Sequence, residues 1–144
     1  MKIETSRFGT LDLDVSTFIH FPWGIPGFES LKRYVLLEHR QGPFKWLQAV
    51  DHPDVAFLVC SPDVFGVHYH VPEKRASMLN LNDPQDLAIL ILISVDNNTR
   101  AVRPHVWAPL LLNASNRLAH QWVIEASEKR YVIAASEPQP SQDK

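Results

Sequence analysis

The stretch "LAILILISV", from Leu87 to Val95, is the longest apolar run in the chain. Apolar residues follow one another in it almost without interruption, which is typical of a strand that is buried on both of its faces. The run is far shorter than the ~20 residues that a helix needs to cross a bilayer. We therefore predict that it forms the central strand of a folded domain.

Further strand patterns lie on both sides of this run, and turn sequences separate them. Two of them flank "SRFG", which predicts an N-terminal hairpin with Gly9 in its turn. Many short strands at such spacing predict a β-sandwich or a β-barrel, and a βαβ fold would need helices that are missing. The segments are "KIET", "TLDLDV", "STFIHF", "YVLLE", "PFKWLQAV", "VAFLVC", "VHYHV", "RAVRPHVW", "APLLLN", "RLAHQWVIE" and "RYVIAA".

Helix patterns are few. "PEKRASML" is the best candidate, because Pro72 at its start costs no hydrogen bond there, and "ESLKR" could add one helical turn. The predicted fold class is therefore all-β, a compact antiparallel barrel-like single domain with one or two short helices. We place the domain at residues 1–135. The tail that follows, 136–144, lacks apolar residues to anchor it and is predicted to be disordered.

In "STFIHF" the side chains are expected to alternate between the two faces of a strand. Thr17, Ile19 and Phe21 would share one face, with Phe18 and His20 on the other.

Composition excludes some classes of function. The 144 residues carry a net charge of -2, and a nucleic-acid binder would need a basic face for the phosphates. Cys60 is the single cysteine, so no intrachain disulfide can form, which fits a reducing compartment. The charged N-terminus lacks an apolar signal core, so we predict a cytoplasmic protein.

No motif in the chain is typical of a catalytic site. His68 and His70 share one face of a predicted strand, but no further metal ligand stands at a recognisable spacing, so we favour two solvent-facing histidines over a metal site. Cys60 ends an apolar strand and is expected to be buried rather than reactive. We accordingly predict no catalytic, cofactor-binding or metal residues.

Two pairs of aspartates lie beside prolines. Asp51 and Asp54 bracket one turn, and Asp83 and Asp86 bracket another. Paired carboxylates can perform acid–base catalysis, but these are also common turn residues, and we favour the turn interpretation. An enzyme whose residues assemble only in space stays open as an alternative.

The loop "FPWGIPGFES", residues 21–30, concentrates three aromatic residues on a backbone rich in proline and glycine. In one interpretation Trp23, Ile25 and Phe28 plug one end of the β-core. In the other they form a preorganised apolar patch for a protein partner. Gly24 and Gly27 would supply backbone angles that other residues avoid.

One loop can serve both purposes if its side chains point in different directions. Phe21 continues the inward parity of Ile19 and is assigned to the core. Trp23 lies at the apex, between a proline and a glycine, and is predicted to be exposed. Ile25 and Phe28 would partly cover the core beneath it.

Four segments resemble one known family. In order they are "IHFPWGIPGFESLKRYVLLE", "PFKWLQAVDHPDVAFLVCSP", "APLLLNASNR" and "QWVI", and the first is the most specific. Together they are similar to the FliW family of flagellar assembly factors, over nearly the whole chain except the tail.

The sequence departs from the usual pattern of the family at three places. His105 and Val106 stand where the family usually has Asn-Leu, and Ala119 and His120 stand where Gly-Lys is common. A basic, proline-containing ending is replaced by "AASEPQ". These differences concern the C-terminal contact surface.

The resemblance implies a compact, all-antiparallel, barrel-like fold without catalysis. It implies binding to flagellin in the cytoplasm and to CsrA, an RNA-binding repressor of flagellin translation. Accumulating flagellin would occupy the protein and leave CsrA free to repress, and export of flagellin would reverse this. The candidate partner-binding residues are Trp23, Ile25, Phe28, Trp107 and Asn113. The remaining alternatives are a small β-barrel enzyme and a β interaction module with another partner.

Overall fold

The computed structural model describes residues 1–38 and 42–134. Within them lie twelve strands, five short 3-10 helices and one α-helix, α1, over Glu73–Ala76. The fold is mostly β, as predicted, and the predicted tail 136–144 lies outside the described residues. The strands are β1 Lys2–Thr5, β2 Gly9–Asp12, β3 Ile19–His20, β4 Arg33–Glu38, β5 Lys45–Ala49, β6 Ala56–Cys60, β7 Val67–Tyr69, β8 Leu87–Val95, β9 Val102–Pro104, β10 Leu110–Asn113, β11 Leu118–Gln121 and β12 Val132–Ala134.

The large sheet closes on itself. β3 to β6 pair in sequence, β6 pairs with β8, β8 with β10, β10 with β11, and β11 returns to β3. Seven strands thus form a ring, and the barrel-like prediction is confirmed. The expectation that all pairs are antiparallel is wrong at one joint, because β11 and β3 run parallel where Leu118 lies beside His20.

Three further pieces cover this barrel. β9 extends β8 as a hairpin, and β1 with β2 forms a separate two-stranded sheet, the predicted N-terminal hairpin. Its turn is formed by residues 6–8, and Gly9, which was expected in the turn, is the first residue of β2 and pairs with Thr5. β7 pairs with β12 in another small sheet. Within the described ranges no helix is long and apolar enough to span a membrane.

β8 contacts apolar side chains on both faces, as its sequence predicts. Ala88, Leu90 and Leu92 pack on the main core inside the barrel. The alternate residues meet two clusters outside it: Leu87 and Ile89 pack near Trp122, and Ile91 and Ile93 pack near Cys60. The continuous apolar run follows from these two sets of contacts.

The predicted strand "STFIHF" is mostly not a strand. Val15–Thr17 is a 3-10 helix, and the Asp14 side chain caps it by accepting from the Ser16 N–H at 2.9 Å. Within this segment only Ile19–His20 forms a strand, β3, with Ile19 buried and His20 exposed. Phe18 is buried as well, because the N-terminal hairpin supplies Ile3 to cover it.

The helix predictions had mixed outcomes. "PEKRASML" forms α1 followed by a 3-10 helix over Ser77–Leu79, with Pro72 just before the first turn. The prediction of a helical turn over "ESLKR" is wrong, since β4 already begins at Arg33. A 3-10 helix over Ala126–Tyr131 was not predicted.

Candidate partner-binding surface

The aromatic loop, residues 21–30, joins β3 to β4 and is fastened at its base. Phe21 is buried, packs edge-to-face on Tyr34 with ring centroids 5.2 Å apart, and donates its N–H to the Lys32 carbonyl at 2.8 Å. The Phe28 N–H donates to the Ile25 carbonyl at 2.7 Å. Several short contacts therefore fix the loop in one shape.

Gly24 makes the tight turn of this loop possible. Its backbone has φ of +68°, a left-handed conformation, and its N–H donates to the Phe21 carbonyl at 2.8 Å. A Cβ at this position would lie 2.5 Å from the Glu29 Cα. Glycine is thus required here both for the backbone angle and for the close approach of the two arms.

Trp23 projects from the apex of the loop, as predicted. Its side chain is 54% exposed. One edge rests on His120, with ring centroids 6.0 Å apart and planes nearly perpendicular. The indole therefore presents much of its surface to solvent while a buried side chain supports it.

Phe28 is more exposed than the sequence predicted. It is 38% exposed and contacts Phe57 edge-to-face, with ring centroids 5.1 Å apart. The core below it is already filled by Ile25 and by Phe57, which comes from β6. Phe28 thus adds a second aromatic side chain to the exposed surface of the loop.

Ile25 and Asn113, two of the candidate partner-binding residues, lie in the interior. Ile25 is 2% exposed and belongs to the main core. The buried Asn113 amide donates to the Leu79 carbonyl at 3.0 Å and accepts from the Ser115 N–H at 2.9 Å. Neither side chain faces solvent, so neither is placed for direct contact with a partner, and both hold the fold together.

A small pocket of about 210 Å³ lies beside Trp23, between the loop, α1 and β11. His120 lines it, and burial lowers the pKa of its imidazole below the ordinary value, while its Nε2 lies 3.4 Å from the Arg75 carbonyl. On the other side, the Glu29 carboxylate accepts from the Gly27 N–H at 3.0 Å, and this hydrogen bond lowers the pKa of Glu29. Arg75 and Glu29 both line the pocket, so it has charged groups of both signs beside its apolar wall.

Trp107 forms a second exposed aromatic position. It follows β9, and the Lys129 ammonium lies 5.2 Å from the centroid of its ring. The exposed Val123 lines the same surface groove as Trp107. The sequence does not predict that His120 lies beside Trp23, or that Val123 and Lys129 lie near Trp107. These residues are distant in the chain and come together only in the folded structure.

The residues considered for catalysis are dispersed. His68 and His70 are both exposed, as predicted; His68 lies 3.4 Å from Asp63, and His70 stacks on Tyr131. Cys60 is buried, which raises its pKa to about 11. Within residues 1–38 and 42–134, no three His, Cys, Asp or Glu side chains converge as metal ligands.

The aspartates serve in turns and ion pairs. Asp51 pairs with the Arg33 guanidinium through two hydrogen bonds, and this partner lowers the pKa of Asp51. Asp54 accepts from the Ser6 hydroxyl. Asp83 caps a short 3-10 helix by accepting from the Gln85 N–H at 2.9 Å, and the carbonyl of Asp86 accepts from the Ala114 N–H.

Comparison with known proteins supports one family. The model of the family described as FliW protein matches residues 2–136. The flagellar assembly factor FliW of Moorella thermoacetica is 36% identical over 132 residues, covering 89% of this chain and 84% of that protein. The flagellar assembly factor FliW of Thermoanaerobacter pseudethanolicus is 33% identical, covering 89% and 88%. A crystal structure of the flagellar assembly factor FliW superposes with a TM-score of 0.79 at 26% identity, covering 88% of this chain and 90% of that one.

Proposed function

Because the chain belongs to the FliW family of flagellar assembly factors, we propose that it acts without catalysis, by binding flagellin and CsrA in the cytoplasm. While flagellin is abundant it occupies the protein, and CsrA represses flagellin translation. When flagellin has been exported, the freed protein binds CsrA and translation resumes. Regulation then follows from mass action between two ligands of one protein.

The exposed Trp23 on a fixed loop is the observation that carries this proposal. Large aromatic side chains supply much of the binding energy at protein interfaces. The hydrogen bonds at the base of the loop and the close approach at Gly24 hold Trp23 in place before any partner arrives. Binding therefore costs little conformational entropy.

Phe28 extends this surface, and Ile25 supports it from below. Phe28 is partly exposed on the same loop, whereas Ile25 anchors the loop in the core. The direct contacts are thus assigned to Trp23 and Phe28. Trp107, which lies outside the loop, is a further candidate contact.

Charge supports a basic partner. The chain has a net charge of -2, and an RNA-binding repressor needs a positive surface for phosphates. Opposite net charges increase the rate of encounter between two proteins, and the acidic protein repels RNA.

Calorimetric titration of the purified chain with flagellin and with CsrA tests the proposal. We expect each protein to bind alone, and we expect saturation with flagellin to abolish the heat of CsrA binding. A ternary complex would contradict competition between the two partners. The absence of binding to both proteins would contradict the proposed function itself.

A further inference from the structure

An open groove of about 470 Å³ runs between the end of β9 and the segment that follows β11. Its floor contains the buried side chains of Val106 and Ile124, and its walls include the exposed Trp107 and Val123. We call it the Trp107 groove. Its two sides are joined by a hydrogen bond from the Ile124 N–H to the Trp107 carbonyl, 2.9 Å long, so its shape is set by the fold.

Two positively charged side chains border this groove. Arg103 lines it, and Lys129 lies over the face of Trp107 at its rim. Neither forms an ion pair with a carboxylate of the described residues. Arg103 influences Asp96, but hydrogen bonds from Thr99 and Asn98 are the main reason that the pKa of Asp96 is lowered.

The groove is suited to side chains rather than to an added strand. Among the described strands β9 pairs only with β8, and the His105 N–H after it donates to the Leu92 carbonyl. Pro104 has no N–H to offer a further strand, which is a common feature of edge strands that resist such pairing. The groove therefore offers a partner apolar contacts and charged groups rather than backbone pairing.

We propose that the Trp107 groove binds a protein segment in which an apolar anchor residue is flanked by acidic residues. The anchor fits between Trp107 and Val123, over the apolar floor. Carboxylates on either side of it meet Arg103 and Lys129, two cations without an ion-pair partner in the described part of the chain. The chain as a whole is negatively charged and favours a basic partner, whereas this groove favours an acidic one. The inference therefore goes beyond the function proposed above.

Two matched synthetic peptides test this inference. The first is an N-acetylated hexapeptide, Glu-Glu-Leu-Phe-Glu-Glu, and in the second lysines replace the glutamates. Each is titrated into the 15N-labelled chain while amide and indole signals are recorded by NMR. We expect the acidic peptide to shift the Trp107 indole signal and the Val123 and Ile124 amide signals, and we expect the basic peptide to shift none of them.

Variants of the full chain distinguish the contribution of the apolar contact to peptide affinity from that of the two cations. Trp107→Ala is expected to weaken binding of the acidic peptide about tenfold or more, as loss of an interface anchor does. Arg103→Glu and Lys129→Glu are expected to weaken it also, without removing the apolar walls. Val15→Ser alters an exposed apolar residue that does not line the groove and serves as the matched control, with unchanged affinity.

The inference would be overturned by equal binding of both peptides, by signal shifts confined to residues 21–30, or by an affinity that Trp107→Ala leaves unchanged. Unshifted Trp107 and Val123 signals at millimolar acidic peptide would do so too. These outcomes are independent of the flagellin and CsrA titrations, so failure of one proposal does not count against the other.

Discussion

Trp23 and Phe28 are the exposed aromatic side chains of the loop, and we expect them to differ in what they contribute. Trp23→Ala removes a mostly solvated indole, so its cost in the free energy of unfolding is expected to be about 1 kcal/mol or less. Its cost in binding flagellin or CsrA is expected to be about 1–3 kcal/mol. Phe28→Ala should destabilise more through the lost contact with Phe57, but less than the roughly 3–5 kcal/mol of a fully buried phenylalanine.

Urea denaturation and binding isotherms on both variants measure these differences. Early unfolding of Trp23→Ala, with binding retained, would reverse the assignment of the two residues. Unchanged stability and unchanged binding for Trp23→Ala would place the partner surface elsewhere.

The two glycines of the loop form a natural comparison. Gly24 and Gly27 both have positive φ, so alanine at either position costs about 1–2 kcal/mol for the left-handed backbone. At Gly24 the new Cβ would also overlap Glu29, at 2.5 Å from its Cα. At Gly27 no atom of the described residues lies within 4 Å of the equivalent Cβ. Gly24→Ala is therefore expected to lower the melting temperature more than Gly27→Ala, and equal losses would contradict the close approach.

The buried imidazole of His120 should make stability depend on pH. Burial lowers its pKa in the fold below the ordinary 6.5, and the nearby Arg75 cation adds to this effect. The folded state thus favours neutral His120, so its contribution to stability is present above pH 6.5 and is lost as the pH falls below that value.

Urea midpoints measured from about pH 7.5 to about pH 5.5 test this dependence. His120→Gln should show a shallower decline in stability toward acid than the unaltered chain. Val15→Ser, which changes an exposed side chain and removes no titratable group, provides the control and should leave the decline unchanged. A decline of the same steepness in His120→Gln would argue against this role.

At the residue scale, the sequence predicts what depends on local geometry. The inward Phe21, the exposed Trp23 and the glycine conformations follow from parity, position and backbone preference. The exposure of Phe28 does not, because it depends on Phe57 in another strand. Nor does the buried Asn113, whose amide is satisfied by a carbonyl 34 positions away.

At the scale of the element, β8 provides a sharp test of the fold. Ile91 is fully buried and Val95, four positions along the same face, is 41% exposed. Ile91→Asp buries a charge without a partner and is expected to prevent stable folding, whereas Val95→Asp leaves its carboxylate in water and is expected to be tolerated. Circular dichroism melts of the two variants measure this, and a folded Ile91→Asp would show that the position is not buried.

Elements were predictable where their neighbours could be inferred. β8 matches its predicted bounds because contact on both faces imposes a continuous apolar run. The prediction of a strand over the whole of "STFIHF" is wrong, because Asp14 and the covering hairpin favour a 3-10 turn before a two-residue strand. The 3-10 helix over Ala126–Tyr131 was missed because Glu125, rather than Ser or Thr, caps it in a box with Glu128.

At the scale of the whole molecule, net charge is expected to govern the proposed encounter with CsrA. We expect the affinity to fall as salt rises, since charge interactions are screened over ~8 Å at physiological ionic strength. Trp23→Ala serves as the control, because it removes no charge and should weaken binding at every salt concentration without changing the slope. An affinity independent of salt would show that apolar contacts dominate.

The joint between β11 and β3 gives the barrel a preferred order of assembly. Its pairing involves a single residue on each strand, supported by the Arg117 guanidinium, which donates to the Thr17 carbonyl 100 positions earlier. The hairpins from β3 to β6 can form from neighbouring chain, whereas this joint must close a long loop against its entropy. The ring is therefore expected to close late in folding and, with so few hydrogen bonds, to open first in the native state. The aromatic loop follows β3 directly, so the lifetime of this joint is expected to govern how long Trp23 keeps its exposed position at the apex.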